Sequence, residues 1–574
     1  MRKKKGSMSD HPPEEILERP YPDHDDAEDI CDILEGSPVG QRHVLVRDDG
    51  DYGHIWLAGD SLRIPVTDLK AAEISGLMAF FADQLTTRSD HPTNEGALLR
   101  FQSFGSHIKG FPGLEIDDST IAVVREDDLI NIRMDSKDNR YTIIFDTRPS
   151  NSKMGSYAVS RLRSRGCVNV PDLMGISYWD RSSGPLIWSS MVRYDRDSHP
   201  SFRPFLQDLD DILKSILNSG PEGYHDYILE LSKDRKRKSL RLSRELGRSL
   251  GNIHGNLIVG RREESPKASG VLGERISKIM SMGIFDMEDV GSMLGMVSSF
   301  LNFIKRGLRT NVGVVSSKSE PGSRKLKVVK RRSVSADPGA VISIPLRILS
   351  RGFMARESRI KNRFSGMREF RGSPCITSLL DSRLEKVMIT GGVFVFDRFN
   401  WFPEGFEDET VMMLPLKDIA MTLNSLMKNR YLSARKVLRD LAGNFKVDLS
   451  NLESMYIDYN LSKRNYDNMR RDLMVSRFLS DRDSPFGSIL AISVASALWY
   501  DRCRNEIVNG YTEGVEATGR DELLEYPPGA NTLEAIDLLQ IFVSLSELSK
   551  NIGPTAGPQS TAGIESALLT VLTR

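Results

Sequence analysis

The sequence predicts an α+β protein, with a strand-rich first third followed by a large helical remainder. Three observations carry this. Short apolar, β-prone runs alternate with turn residues up to about residue 195. Beyond about residue 200, apolar side chains recur at three- and four-residue intervals. One β-hairpin signal, from Val387 to Phe396, interrupts the helical part.

Residues 1–35 pass from basic to Pro-rich to acidic, ending in Asp23, Asp25, Asp26, Glu28 and Asp29, and are expected as a disordered tail. The acidic cluster lacks the glycine and terminal glutamate of an EF-hand loop. Residues 36–115 are expected as a small β-rich region. Its strand candidates are His43 to Val46, His54 to Leu57 and Ser61 to Ile64, and a helix is expected from Leu69 to Ala82. Residues 116–195 form a second strand-rich region, with candidates at Thr120 to Val124, Leu129 to Met134, Tyr141 to Phe145 and Leu186 to Arg193. Residues 196–574 are expected to be helical, with segments at Pro204 to Leu217, Tyr224 to Ile253, Gly270 to Leu308, Ile489 to Tyr500 and Asn531 to Leu548. Met280, Met282, Met287, Met293 and Met296 are read as core filling.

Composition excludes several classes. The 574 residues carry 78 Lys plus Arg against 78 Asp plus Glu, so whole-chain charge gives no reason to expect a polyanionic partner, and nucleic acid is not expected. The four cysteines, Cys31, Cys167, Cys375 and Cys503, form no CxxC pair. This points to a reducing compartment rather than a disulfide framework or a zinc site. The opening MRKKKGSMSDHPPEE has no apolar core and no 18-residue apolar run follows, so a cytoplasmic protein with no membrane partner is expected.

Local charge differs from the total. Between Lys318 and Arg371 there are fifteen Lys or Arg against four acidic residues, in a basic insertion spanning about 312–374. Three readings are open: a solvated, partly disordered insertion, a positive wall for phosphates, or a surface for an anionic polymer. Sparse aromatics argue against a stacking platform for single strands.

The segment Leu379 to Trp401 concentrates the candidate chemistry. Asp381 and Asp397 lie sixteen residues apart around two apolar runs, Val387 to Ile389 and Val393 to Phe396, separated by Thr390-Gly391-Gly392. A phosphotransferase needs one carboxylate to orient the acceptor hydroxyl and another to hold Mg²⁺ against the phosphates. Two aspartates flanking a hairpin supply that pair. The bland reading makes them solvated or capping residues.

Several blocks occur in a recognisable order. They are GCVNVPDLMG at Gly166 to Gly175, ELGRSLGNIH at Glu245 to His254, Leu379 to Met388, Val393 to Phe399, PLKDIAMTLNSL at Pro415 to Leu426, and Leu538 to Leu548. In these the chain resembles the maltokinases, sugar kinases of the aminoglycoside-phosphotransferase type, from about residue 50 onward. The resemblance implies a bilobal protein-kinase-like fold in which residues 36–115 are the cap, 116–195 the N-lobe and 196–574 the C-lobe. It implies ATP and Mg²⁺ as cofactors, Asp381 as catalytic base and Asp397 as metal ligand. It also implies maltose or a related α-glucoside as acceptor, and a partner enzyme of glycogen or trehalose metabolism.

The departures are specific. The family's catalytic-loop histidine falls on Leu379, and its amide metal ligand falls on Lys386, a cation that cannot ligate Mg²⁺ while protonated. Ile144 stands at about the phosphate-binding lysine, with Lys137 and Lys153 to either side, and Tyr157 stands near its glutamate partner. The family's "DFE" reads Asp397-Arg398-Phe399. Lys386, Arg383 and Arg398 are therefore candidates for fixed cations beside the nucleotide phosphates, or for structural partners of the two aspartates. His254, despite its HGN context, is read as a buried structural histidine, because Leu246, Leu250, Ile253 and Leu257 share its helical spacing. Two function classes remain: a working sugar kinase with a degenerate site, and a pseudokinase kept as a binding or regulatory module.

Overall fold

A computed structural model describes the strands between Asp29 and Asp146, residues 81 and 84–85, and residues 155–180, 186–195, 197–258, 281–311, 343–377, 380–396, 398–399, 411–462, 471–472, 485–552 and 561–574. It is a mixed protein, mostly helical, with small antiparallel sheets. The chain divides into two compact units, one of residues 1–153 and 172–196, the other of residues 154–171 and 197–574.

The first unit holds two sheets. Strands β1 (Asp29–Ile33), β2 (His43–Asp48), β3 (Gly53–Gly59) and β4 (Leu62–Pro65) form an antiparallel meander. Residues 29–33, expected within the N-terminal tail, form strand β1, whose backbone pairs Asp29 with Asp48 and Ile33 with Val44. A seven-stranded sheet follows. It is built from β5 (Asp90–Pro92), β6 (Leu98–Ser103), β7 (Ile121–Glu126), β8 (Leu129–Asp135), β9 (Asn139–Asp146), β10 (Asp172–Asp180) and β11 (Leu186–Asp195), in the order β5-β6-β10-β11-β9-β8-β7. Ile132, Ile143, Ile176, Met191 and Phe101 are buried within this unit. Ile144 lies on β9 opposite Ser190 of β11. Lys137, Lys153 and most of the helix expected from Leu69 to Ala82 lie outside the described residues.

The second unit begins with helix α1 (Gly155–Ser164), which carries Tyr157, and continues after strand β12 (His199–Pro200) with helices α2 (Phe202–Lys233) and α3 (Lys238–Leu257). The break expected between residues 217 and 224 is a kink inside α2, where Gly220 takes φ 69 and ψ 170 before Pro221. The true interruption falls at residues 234–237. Helix α3 packs on α8 (Phe486–Ala517) through glycines on both sides. A Cβ at Gly251 would lie 2.4 Å from the Tyr511 carbonyl oxygen, and one at Gly514 would lie 2.2 Å from that of Arg248. The two backbones touch, so no larger side chain fits.

The helical segment expected from Gly270 to Leu308 is corrected in part. Met282–Ile284 form strand β13, paired with β14 (Pro374–Thr377), and helix α4 runs Met287–Asn311; residues 270–280 lie outside the described residues. Met293 and Met296 are core, whereas Met287 is exposed. The second half of the basic segment is also ordered, as helix α5 (Ile344–Arg363) and a short 3-10 helix, Phe364–Phe370. Ser343 caps α5 by accepting from the Leu346 amide. Leu346, Leu349, Phe353 and Ile360 are buried at helical spacing, and Arg356 donates to the Leu572 carbonyl. Residues 312–342 lie outside the described residues.

The remaining elements are strands β15 (Val387–Thr390), β16 (Val393–Phe396) and β17 (Met412–Met413), and helices α6 (Leu416–Phe445), α7 (Leu449–Ser462), α9 (Thr532–Ile552) and α10 (Thr561–Thr573). Helices α6, α8 and α9 supply a large share of the second unit's core. Ile419, Leu423, Leu426, Ile492, Val494, Leu538 and Phe542 are all buried there. Among the described residues no helix is long and apolar enough to cross a membrane.

Candidate active site

The expected hairpin forms as read. Val387 pairs with Phe396 and Thr390 with Val393, leaving Gly391 and Gly392 as a two-residue loop with φ 55 and 82. Two successive positive φ values need residues without a Cβ penalty, which is why Gly-Gly closes the turn. On its other side β15 pairs with β12, and the Ser201 amide donates to the Val387 carbonyl at 2.8 Å.

Asp381 sits in the loop that leads into β15. Its carboxyl is 7% exposed, and Arg383 spans it, with Nε 2.8 Å from Oδ1 and an Nη donating to Oδ2. The Asp381 amide donates to the Arg398 carbonyl at 2.8 Å, tying the loop to the chain just past β16. Burial pushes the Asp381 carboxyl up, but the Arg383 guanidinium and then Lys386 outweigh it and hold the group at about 2. Asp381 is therefore a carboxylate at neutral pH. Burial lowers Arg383, but Asp381, joined by Glu547 and Glu385, outweighs it, so the guanidinium stays charged.

The loop rests on helix α6. Ser382 donates to the Asp418 carbonyl at 2.6 Å, and Thr422 donates to the Ser382 carbonyl at 3.0 Å. The Leu384 amide donates to Ser425, and Ser425 donates to Glu385, which also pairs with Lys428 at 2.6 Å. Lys417 is buried. It donates to the Leu380 carbonyl at 2.8 Å and pairs with Asp418. Burial pulls the Lys417 ammonium down against the opposing pull of Asp418.

His254 of α3 meets Asp418 at 2.7 Å through Nε2 and the Tyr511 hydroxyl at 3.0 Å through Nδ1. It is 1% exposed, the buried structural histidine expected from the sequence. Burial pushes Asp418 up, but Lys417 and His254 hold it below the usual carboxylate range. A chain of buried polar groups thus runs from α8 through α3 to the backbone beside Asp381.

Of the expected site residues, Asp381, Arg383 and Lys386 are brought together. The Lys386 amide donates to the Arg383 carbonyl at 2.8 Å, and its charge reaches Asp381. Arg398 is buried. Asp397 and Leu379 lie outside the described residues. Sequence reasoning missed Lys417 and the half-buried Glu547 of α9, whose carboxyl burial raises and whose charge acts on Arg383. The signal for Lys417 was available: PLKDIAMTL places adjacent opposite charges in an otherwise apolar run, the pattern of a helix buried on all sides. Among the described residues no group of three His, Cys, Asp or Glu is arranged to hold a metal ion, and Lys386 presents an ammonium where an amide ligand was expected.

A solved structure of glucosamine kinase superposes on this chain with TM-score 0.50 and 10% identity, covering 91% of this chain and 86% of that one. The likeness is one of fold. Another, of glucosamine kinase in complex with glucosamine, ADP and inorganic phosphate, gives TM-score 0.49 at 10% identity over 91% of this chain and 88% of that one. No family model matches the chain, and no curated protein matches it.

Proposed function

We propose that the chain is a kinase-type phosphotransferase that moves the terminal phosphate of ATP to a sugar hydroxyl, with Asp381 as the carboxylate that orients the acceptor. The observation that carries this reading is the state of Asp381: buried, ionised, and fixed through its own amide and the Lys417-Asp418-His254 chain on a fold like that of a sugar kinase. Preorganised charge of this kind is what phosphoryl transfer asks of a protein. Arg383 and Lys386 are the cations on the phosphate side, and Asp397 is the ligand for Mg²⁺. The acceptor is maltose or a related α-glucoside.

One observation favours a second reading. Both Asp381 oxygens accept from Arg383, so an acceptor hydroxyl has to share the carboxylate with the guanidinium or displace it. If the guanidinium never makes room, the chain is a pseudokinase serving a partner enzyme of glycogen or trehalose metabolism. Incubation with Mg-ATP and separate maltose, glucose and glucosamine acceptors, followed by mass spectrometry for a sugar phosphate, tests the choice. A monophosphate from one acceptor supports the first reading; none from any acceptor supports the second.

A further inference from the structure

Strand β16 lies at the end of the order β12-β15-β16, and among the described residues no further strand covers its outer edge. An uncovered edge leaves backbone donors and acceptors without partners and a strand free to shift. Among the described residues, Asn169 hydrogen-bonds to this edge; it lies 225 positions before Phe394 in the chain and is 5% exposed. The Phe396 amide donates to the Asn169 carbonyl at 2.8 Å, and Asn169 Nδ2 donates to the Phe394 carbonyl at 3.1 Å. Residues two apart on a strand direct these groups to the same edge, so Asn169 supplies one acceptor and one donor in the places of a neighbouring strand.

Helix α3 fixes the Asn169 side chain. Nδ2 also donates to Ser249 Oγ at 2.9 Å, and Oδ1 accepts from Asn252 Nδ2 at 2.7 Å. Asn252 is itself held by Asn256, which donates to both its carbonyl and its side-chain oxygen at 2.8 Å. The amide orientation is therefore set by several bonds at once. Two residues beyond Phe396, the Arg398 carbonyl accepts the Asp381 amide.

We propose that Asn169 is a positioning residue for Asp381: its carbonyl and side-chain amide stand in for a strand on the open edge of β16 and so fix the segment that holds the Asp381 backbone. The consequence for transfer rests on the reading of Asp381 as the acceptor-orienting carboxylate. The anchoring does not.

The test compares Asn169→Ala and Asn169→Asp with Ser249→Ala, which removes a partner of the same amide but leaves both bonds to β16. Amide hydrogen exchange is followed at Phe396 and Asp381, with α8 amides as a control for global stability. Both Asn169 variants are expected to raise exchange at the two amides by about tenfold or more with α8 unchanged, and Ser249→Ala to stay near wild type. In acceptor assays kcat is expected to fall by about 10- to 100-fold with KM within about twofold, because misplacement of a fixed group costs turnover more than binding. Unchanged exchange at Phe396 and Asp381 overturns the proposal. So does exchange rising equally throughout α8, which is a stability effect alone. A wild-type chain that transfers no phosphate removes the role assigned to Asp381, while the exchange data still decide whether Asn169 anchors β16.

Discussion

Arg383 grips both carboxylate oxygens of Asp381, two residues before it in the same loop. The pair is asymmetric in exposure, 31% for the arginine side chain against 7% for the aspartate, so the cation faces outward and the carboxylate lies beneath it. This arrangement keeps a buried carboxylate charged and sets a guanidinium over it. Under the proposed function, whether Arg383 makes room for an acceptor hydroxyl separates the kinase reading from the pseudokinase reading.

The first prediction concerns acid. The folded Asp381 titrates at about 2, below the roughly 3.9 of a free aspartate. Its contribution to stability is fully present above about pH 4 and is lost as the pH falls through about 2, amounting to about 2 kcal/mol. In Arg383→Gln burial dominates, the Asp381 carboxyl rises above its ordinary value, and its contribution changes sign, so it costs stability as the pH rises. Urea midpoints measured from pH 3 to pH 7 in both proteins check this.

The α3–α8 contact predicts a contrast between glycines. Gly251→Ala drives a Cβ against the Tyr511 carbonyl and is expected to cost about 3 kcal/mol in chemical denaturation. Gly295→Ala, on the exposed face of α4 with nothing within 4 Å of the new Cβ, is expected to stabilise by about 0.5–1 kcal/mol.

Asp418→Asn strands Lys417 in the core, where burial already lowers its proton affinity. The expected loss is about 3–5 kcal/mol. Tyr511→Phe removes only the hydroxyl beside His254 and is expected to cost about 1–2 kcal/mol. Denaturation of both variants and of the double variant measures the coupling along the buried chain.

Lys386→Gln places an amide where the ammonium now stands and removes one of the charges that lower Asp381. Calorimetric titration with ADP and Mg²⁺ is expected to show weaker binding than wild type shows, because a cation beside the phosphates is lost. Tighter binding in the variant would mean that the ammonium opposes the metal rather than holding phosphate.

The hairpin around Thr390-Gly391-Gly392 was legible because a Gly-Gly loop between two β-prone runs is local chemistry. What was missed depends on distant partners. Met282 to Ile284 looks helical in its own context but pairs with Pro374 to Ile376, some ninety residues away. The kink at Gly220 does not end α2, because Phe205, Leu209, Ile212 and Ile216 before it and Tyr224, Ile228 and Leu231 after it are all buried. In α5 the density of Arg and Lys drew attention from Leu346, Leu349, Phe353 and Ile360, whose spacing carried the helix. No sequence pattern announces that Arg383 folds back on Asp381, or that Asn169 hydrogen-bonds to β16.

The most direct test measures phosphate transfer from Mg-ATP to sugar acceptors by wild type and by Asp381→Asn, with circular dichroism confirming that both are folded. A sugar phosphate is expected from wild type, with a fall in kcat of about 100- to 10,000-fold in the variant. Equal transfer by the two proteins, or none by wild type with any acceptor, contradicts the kinase reading.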